Sequence, residues 1–144
     1  MSISDYDTDI VVWSDRQAEL LRRRAAGELV NDAELDWPNI AEEIESVGRE
    51  QVHAVQSLLR QAMVHRLKVI AWPQTSYVAG WEDEDLGFRQ DAADRYTPAM
   101  RQRIDLDHLY SQALRRLPRL IDGLPPGPVP PACPWTFEGL LAVD

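Results

Sequence analysis

Apolar side chains recur along most of this chain at the three- and four-residue spacing that gathers them on one side of an α-helix. The longest such run follows Asp36. On a wheel of 100° per residue, Ile40, Ile44, Val47, Val55, Leu58, Leu59, Ala62, Val69 and Ile70 share one broad arc, with Glu42, Arg49, Gln56 and Arg60 opposite. The pattern predicts one helix over residues 37–71. Asp36 is a good N-cap, Pro38 sits where first-turn amides lack helical partners anyway, and Pro73 ends the run. So wide an arc suits a helix that touches two neighbours, as in a bundle.

Other segments carry shorter versions of the same spacing. Ser14-Asp15-Arg16-Gln17 matches a capping box and predicts a helix over 14–26, with Trp13 stapling its entry, Leu20, Leu21 and Ala25 on its buried side, and Gly27 as its stop. The upstream Asp5-Tyr6-Asp7-Thr8-Asp9 suits a shorter turn of its own. A third main helix is expected over 77–96, with Trp81, Phe88 and Ala92 at helical spacing against the weakening effect of Gly80 and Gly87. Thr97-Pro98 reads as a break and restart, with a short helix over 99–103. A fourth helix over 106–121 carries Leu109, Tyr110, Ala113, Leu114 and Leu117, and either ends at Pro118 or resumes for one turn through Ile121. Leu124-Pro125-Pro126-Gly127-Pro128-Val129-Pro130-Pro131 is an extended connector, and Thr136 caps a last helix over 136–142. No strand-length alternation or internal repeat stands out. The expectation is an all-α, single-domain bundle of about four helices over residues 1–144, up-down in its core, with the tail packed back through Trp135 and Phe137.

Charge adds an orientation. Arg60, Arg66 and Lys68 lie toward the end of the second main helix, and Glu82, Asp83, Glu84 and Asp85 at the start of the third. A short connector through Pro73 would bring the two groups together in an antiparallel hairpin. Arg66 falls inside the apolar arc, where an unpaired charge is costly, so a semi-buried pair with a carboxylate of residues 82–85 is expected.

Composition narrows the function classes. A chain of 144 residues with 44% hydrophobic content can bury a proper core and is too apolar for disorder. No stretch reaches the ~18 apolar residues of a membrane span. The opening Met1-Ser2-Ile3-Ser4-Asp5-Tyr6-Asp7 lacks the basic start and apolar core of a signal peptide. A lone Cys133 leaves no internal disulfide and no cysteine-based zinc site, and the cytoplasm is the expected compartment. The net charge of −9 opposes binding to nucleic acid or to an anionic membrane, so neither is expected as a partner. The basic residues are 14 Arg and Lys68, a bias that reads as coding preference.

These residues resemble a family. Tyr6-Asp7-Thr8-Asp9, Trp13 and Gln17-Ala18-Glu19-Leu20-Leu21 are similar to the opening of the bacterial domain-of-unknown-function family 29. Asn39-Ile40-Ala41-Glu42-Glu43-Ile44-Glu45-Ser46-Val47-Gly48-Arg49 is close to its signature "NLxEEIExLGR". Leu58-Leu59 with His65-Arg66-Leu67-Lys68, and Cys133-Pro134-Trp135-Thr136 with Leu140-Leu141, extend the likeness over nearly the whole chain. The stretch from Trp81 to Arg95 follows the family less closely, being acidic where members are usually more basic. The resemblance implies a small bundle of about four helices and no assigned activity.

Several patterns invite a chemical reading, and each has a plainer one. Glu50-Gln51-Val52-His53 matches the Glu-x-x-His of dimetal bundles, but His53 lies nearly opposite the apolar arc and should face water. Glu43 and His65 both border the arc, yet one unbroken helix would hold them roughly 33 Å apart, so they would meet only across a kink or a subunit interface. His65 reads more simply as a partly buried histidine bonded to a neighbouring helix. Glu42, Glu43 and Glu45 form a cation or acid–base candidate that also suits a helix start, where the dipole favours carboxylates. Arg22-Arg23-Arg24 at a helix end has the complementary explanation. Trp72 and Trp81 are candidates for an exposed patch toward a partner. There is no glycine-rich phosphate loop, serine elbow or HExxH. No catalytic, cofactor or metal residue is therefore assigned. The residues singled out as a structural motif are Asp36, Trp37, Glu42, Glu43, Glu45, Gly48, His65, Arg66 and Trp135. The expected function is a protein–protein interaction module, either a homo-oligomer or one with an unidentified protein partner. The alternative is a metal-binding or enzymatic bundle using Glu43, Glu45 and His65 across a subunit interface.

Overall fold

A computed structural model describes residues 4–144. The described chain is all-α, with helices α1 (Asp5–Thr8), α2 (Ile10–Ala25), α3 (Trp37–Ala71), α4 (Val78–Arg95), α5 (Leu106–Arg115) and α6 (Phe137–Leu141), and 3₁₀ turns at Asp32–Glu34 and Pro98–Arg103. No described helix is long and apolar enough to cross a membrane. The chain forms two compact units, the first ending at Gly48 and the second covering Arg49–Asp144.

In the first unit, Asp9 decides where α2 begins. Its Oδ1 accepts the amides of Val11 and Val12 at 3.1 Å each, so the helix starts at Ile10 and not at Ser14. A carboxylate in extended backbone right after α1 satisfies two first-turn amides, whereas the Ser14 hydroxyl lies inside the helix and donates to the Val11 carbonyl at 3.0 Å. Trp13 is consequently a buried helical residue, one turn from Gln17 and two from Leu20. Gly27, at φ 85°, ends α2 with the amide of Glu28 on the Arg23 carbonyl and its own amide on that of Arg24, both at 3.0 Å. Trp13, Leu20, Leu35 and Ile40 form the small core, flanked by Tyr6, Leu21 and Val30. Ile44 and Val47, expected in the buried arc, are 69% and 62% exposed.

In the second unit, Val52, Val55, Leu59, Met63 and Leu67 make the buried stripe of α3. They pack with Ala92 of α4, Met100 and Ile104 of the 3₁₀ segment, Leu109, Tyr110 and Ala113 of α5, and Leu140 of α6. Trp72 is fully buried, with its indole N–H on the Leu124 carbonyl at 2.9 Å, so it forms no exposed patch with Trp81. The proline-rich connector is seated on the end of α3: the amide of Gly127 donates to the Ala71 carbonyl at 2.8 Å. A side chain at Gly127 would put its Cβ 3.2 Å from that oxygen, which explains the glycine among prolines. α5 ends at Arg115, short of the expected 121, because its last amides already tighten to i→i−3 bonds and Pro118 has no N–H to continue them. The chain instead turns through Asp122 and Gly123, at φ 52° and 76°, in a bridge between Ile121 and Leu124. The tail packs back as expected: the Tyr110 hydroxyl donates to the Pro130 carbonyl at 2.5 Å, and Trp135 meets the Tyr110 ring edge-on at 5.6 Å.

Candidate functional site

A constellation of charged side chains lies between α3 and α4 in the second unit. The two helices run antiparallel there, since His65 meets Phe88 whereas Lys68, further along α3, meets Trp81, earlier in α4. Of the four acids at residues 82–85, the register delivers Asp85 to Arg66. Asp85 is only 7% exposed, and each carboxylate oxygen takes one guanidinium: Arg66 Nε on Oδ1 at 2.9 Å, and Arg89 Nε on Oδ2 at 3.1 Å. The Arg66 guanidinium also lies 5.4 Å from the centre of the Trp135 ring, so the tail motif closes over the ion pair. Arg66, Val69, Ile70, Glu82, Asp85 and Trp135 line a cleft of about 320 Å³ beside it. The arrangement locks helix register and seats the tail. It offers no nucleophile beside a base, because the one buried carboxylate is committed to two cations.

His65 sits at the edge of this node. Its Nδ1 donates to the Gln61 carbonyl at 2.8 Å, Nε2 is paired with the Glu84 carboxylate, and the ring lies 5.4 Å from that of Phe88. Arg60, grouped with Arg66 and Lys68 in the charge pattern, departs from them: its guanidinium reaches Gln112 of α5, with a terminal nitrogen on Oε1 at 3.0 Å.

The signature residues after Asp36 serve the first unit. Asp36 Oδ2 accepts the Asn39 side-chain amide at 2.7 Å and the Trp13 indole N–H at 2.9 Å. The Asn39 amide, with help from Trp13 and the Asn39 backbone N–H, holds the Asp36 carboxyl below its ordinary pKa of 3.8 against the opposing effect of burial. Glu43 accepts the Tyr6 hydroxyl at 2.7 Å, and that bond, then burial, then the nearby carboxylate charges push the Tyr6 phenol up to about 12. Tyr6 also meets Trp13 edge-on at 4.8 Å. Trp37 is 45% exposed beneath the Arg24 guanidinium. Glu42 and Glu45 are exposed and both have interaction partners, and Gly48 is half-buried where the unit ends. Glu43 and His65 therefore have separate partners in separate units. Among the described residues, no three His, Cys, Asp or Glu side chains gather in a group able to hold a metal ion.

Two anchors escaped the sequence reading. Gln17 is 8% exposed and clamps backbone on both sides of its amide: Nε2 donates to the Glu34 carbonyl at 3.1 Å, and Oε1 accepts the Asp36 amide at 2.9 Å. Its signal was a polar residue one turn from Trp13 on the stripe that also holds Leu20. Arg89 was the other, and its signal was the i,i+4 spacing from Asp85.

A family model described as Domain of unknown function DUF29 matches residues 6–144. No curated protein matches the chain. Among solved structures, the chain is similar to an alpha-helical protein of unknown function from Rhodospirillum rubrum ATCC 11170, with 27% identity, a TM-score of 0.66, and coverage of 99% of this chain and 92% of that one. The matched range includes Tyr6, Trp13, the Asp36–Glu43 stretch, Arg66 and Trp135 of the two internal nodes, and the chain belongs to DUF29.

Proposed function

We propose that the protein is a self-associating interaction module whose docking surface is the apolar face of the first unit. The observation that carries this is the exposure of Ile44 (69%) and Val47 (62%), successive apolar residues one turn apart on α3. Beside them, Trp13, Ala18 and Leu21 of α2 and Ile40 and Ile44 of α3 line a shallow groove of about 190 Å³. The face carries both a ridge and a groove, which is what a twofold contact between identical surfaces requires: each copy sets its ridge in the other's groove. The core beneath is four buried side chains, so covering the face would add substantially to the apolar area removed from water. The acidic charge supports a protein partner over nucleic acid or membrane, and the same composition supports a cytoplasmic location.

Light scattering after size exclusion tests the reading. The wild-type chain is expected as a dimer at tens of micromolar, and a variant with Ile44→Glu and Val47→Glu as a monomer of unchanged helical content. A monomeric wild type would overturn it. The alternative, a metal site shared between subunits through Glu43, Glu45 and His65, has no observation of its own in support, since Glu43 is held by Tyr6 and His65 by Glu84. Stoichiometric transition metal in the purified protein, lost on His65→Ala, would favour it.

A further inference from the structure

A second feature, independent of the docking face, lies where α3 passes α5. Arg60 reaches Gln112 there, and Arg116 follows Gln112 by one helical turn at the end of α5. The two guanidiniums are near enough for their charges to repel. The segments that carry them contain no compensating acid: there is no Asp or Glu from Gln51 through Trp81, nor from His108 through Ile121, in a chain whose net charge is −9. Arg66, on the same helix, solves its charge with Asp85 of α4, but no ion pair joins Arg60 or Arg116 to a carboxylate among the described residues. The Nε of Arg60 is moreover buried with no hydrogen-bond partner, the one such side-chain atom among the described residues. Burial, and then the repulsion of Arg116, both weaken the hold of Arg60 on its proton. The C-terminus of α5 contributes only about half a negative charge, against two whole positive ones. A guanidinium whose Nε is buried without a partner and whose charge has no counter-charge is costly to retain.

We infer that Arg60 and Arg116 form a binding site for a phosphate-class oxyanion, free or as the phosphoryl group of a small monoester. Guanidinium forks match phosphate oxygens, and a dianion offsets both charges at once. Gln112, whose Oε1 holds one terminal nitrogen of Arg60, fixes the fork while leaving its own amide hydrogens to donate. Arg116 is exposed and supplies the entry side; Arg60 is half-buried and supplies the inner side.

The test titrates the full chain with inorganic phosphate and, separately, with glycerol 3-phosphate, reading thermal stability against potassium chloride at matched ionic strength, with ³¹P line broadening as a second readout. A saturable rise in Tm with phosphate beyond the chloride control is expected. Arg116→Gln, a change at the surface, should weaken apparent affinity at least tenfold while leaving Tm in chloride nearly unchanged. Arg60→Met should abolish the phosphate effect and be at least as stable as wild type in chloride, because it removes the uncompensated charge. A response to the monoester equal to that of inorganic phosphate assigns the site to phosphoryl groups of larger molecules; a response to inorganic phosphate alone assigns it to the free ion. No phosphate increment over chloride in the wild type, or an undiminished increment in both variants, would overturn the inference.

Discussion

Asp85 holds two arginines, and its removal leaves both without a counter-charge in a part of the fold where Arg66 and Arg89 side chains are 26% and 12% exposed. Asp85→Ala should therefore cost about 3 kcal/mol in urea unfolding, the range seen when one member of a buried ion pair is deleted. Arg66→Ala should cost less, because Arg89 still satisfies one carboxylate oxygen and the vacated position is partly open to water. Equal stability of both variants and wild type would show that the node contributes nothing. Tyr6 supports a pH prediction. Its phenol, raised from 10.0 to about 12, is neutral in both folded and unfolded chains at lower pH, so its contribution is complete below about pH 10. Above that the unfolded chain ionises first, and the contribution drains away as pH rises through about 12. Wild type should lose stability over this interval faster than Tyr6→Phe, measured by denaturant unfolding at stepped alkaline pH. That Arg66 needed an acid was legible in its place on the arc; that the acid is Asp85 was not, since choosing among four neighbours takes a register that only packing sets.

At the level of elements, local punctuation was read well where it was unambiguous. Asp36, Pro38 and Pro73 bound α3 at Trp37 and Ala71, as the pattern predicts, because caps and prolines act through backbone geometry a residue or two away. α4 forms at Val78–Arg95 despite two glycines, close to the expected 77–96; burial of Ala92 and the Asp85 node outweigh a propensity cost of about 1 kcal/mol per glycine. The start of α2 differs from the expected one because the capping-box pattern points to Ser14, whereas the cap in use is Asp9, five residues upstream. Asp9→Ala should cost about 1 kcal/mol and fray the start of α2, while Ser14→Ala should be close to neutral, both read by thermal unfolding and amide exchange. The reverse order would return the helix start to Ser14.

For the molecule as a whole, self-association and stability are linked. If the Ile44–Val47 face is covered by a second copy, Tm should rise with protein concentration for wild type and be flat for the charged double variant, because a partner that binds only the folded chain stabilises it by mass action. The sequence by itself determined the helical class, the bounds of the longest helix, the family, and the absence of phosphate-loop, elbow and zinc motifs, because periodicity, caps and short motifs are properties of neighbours along the chain. Tertiary structure alone decided which face of α3 each unit buries, that Ile44 and Val47 stay exposed while Trp72 disappears, and that Arg60 turns to Gln112. A wheel assigns one averaged apolar direction to a whole helix, whereas burial depends on whichever element lies alongside at each turn, and that partner is chosen by contacts between residues far apart in sequence.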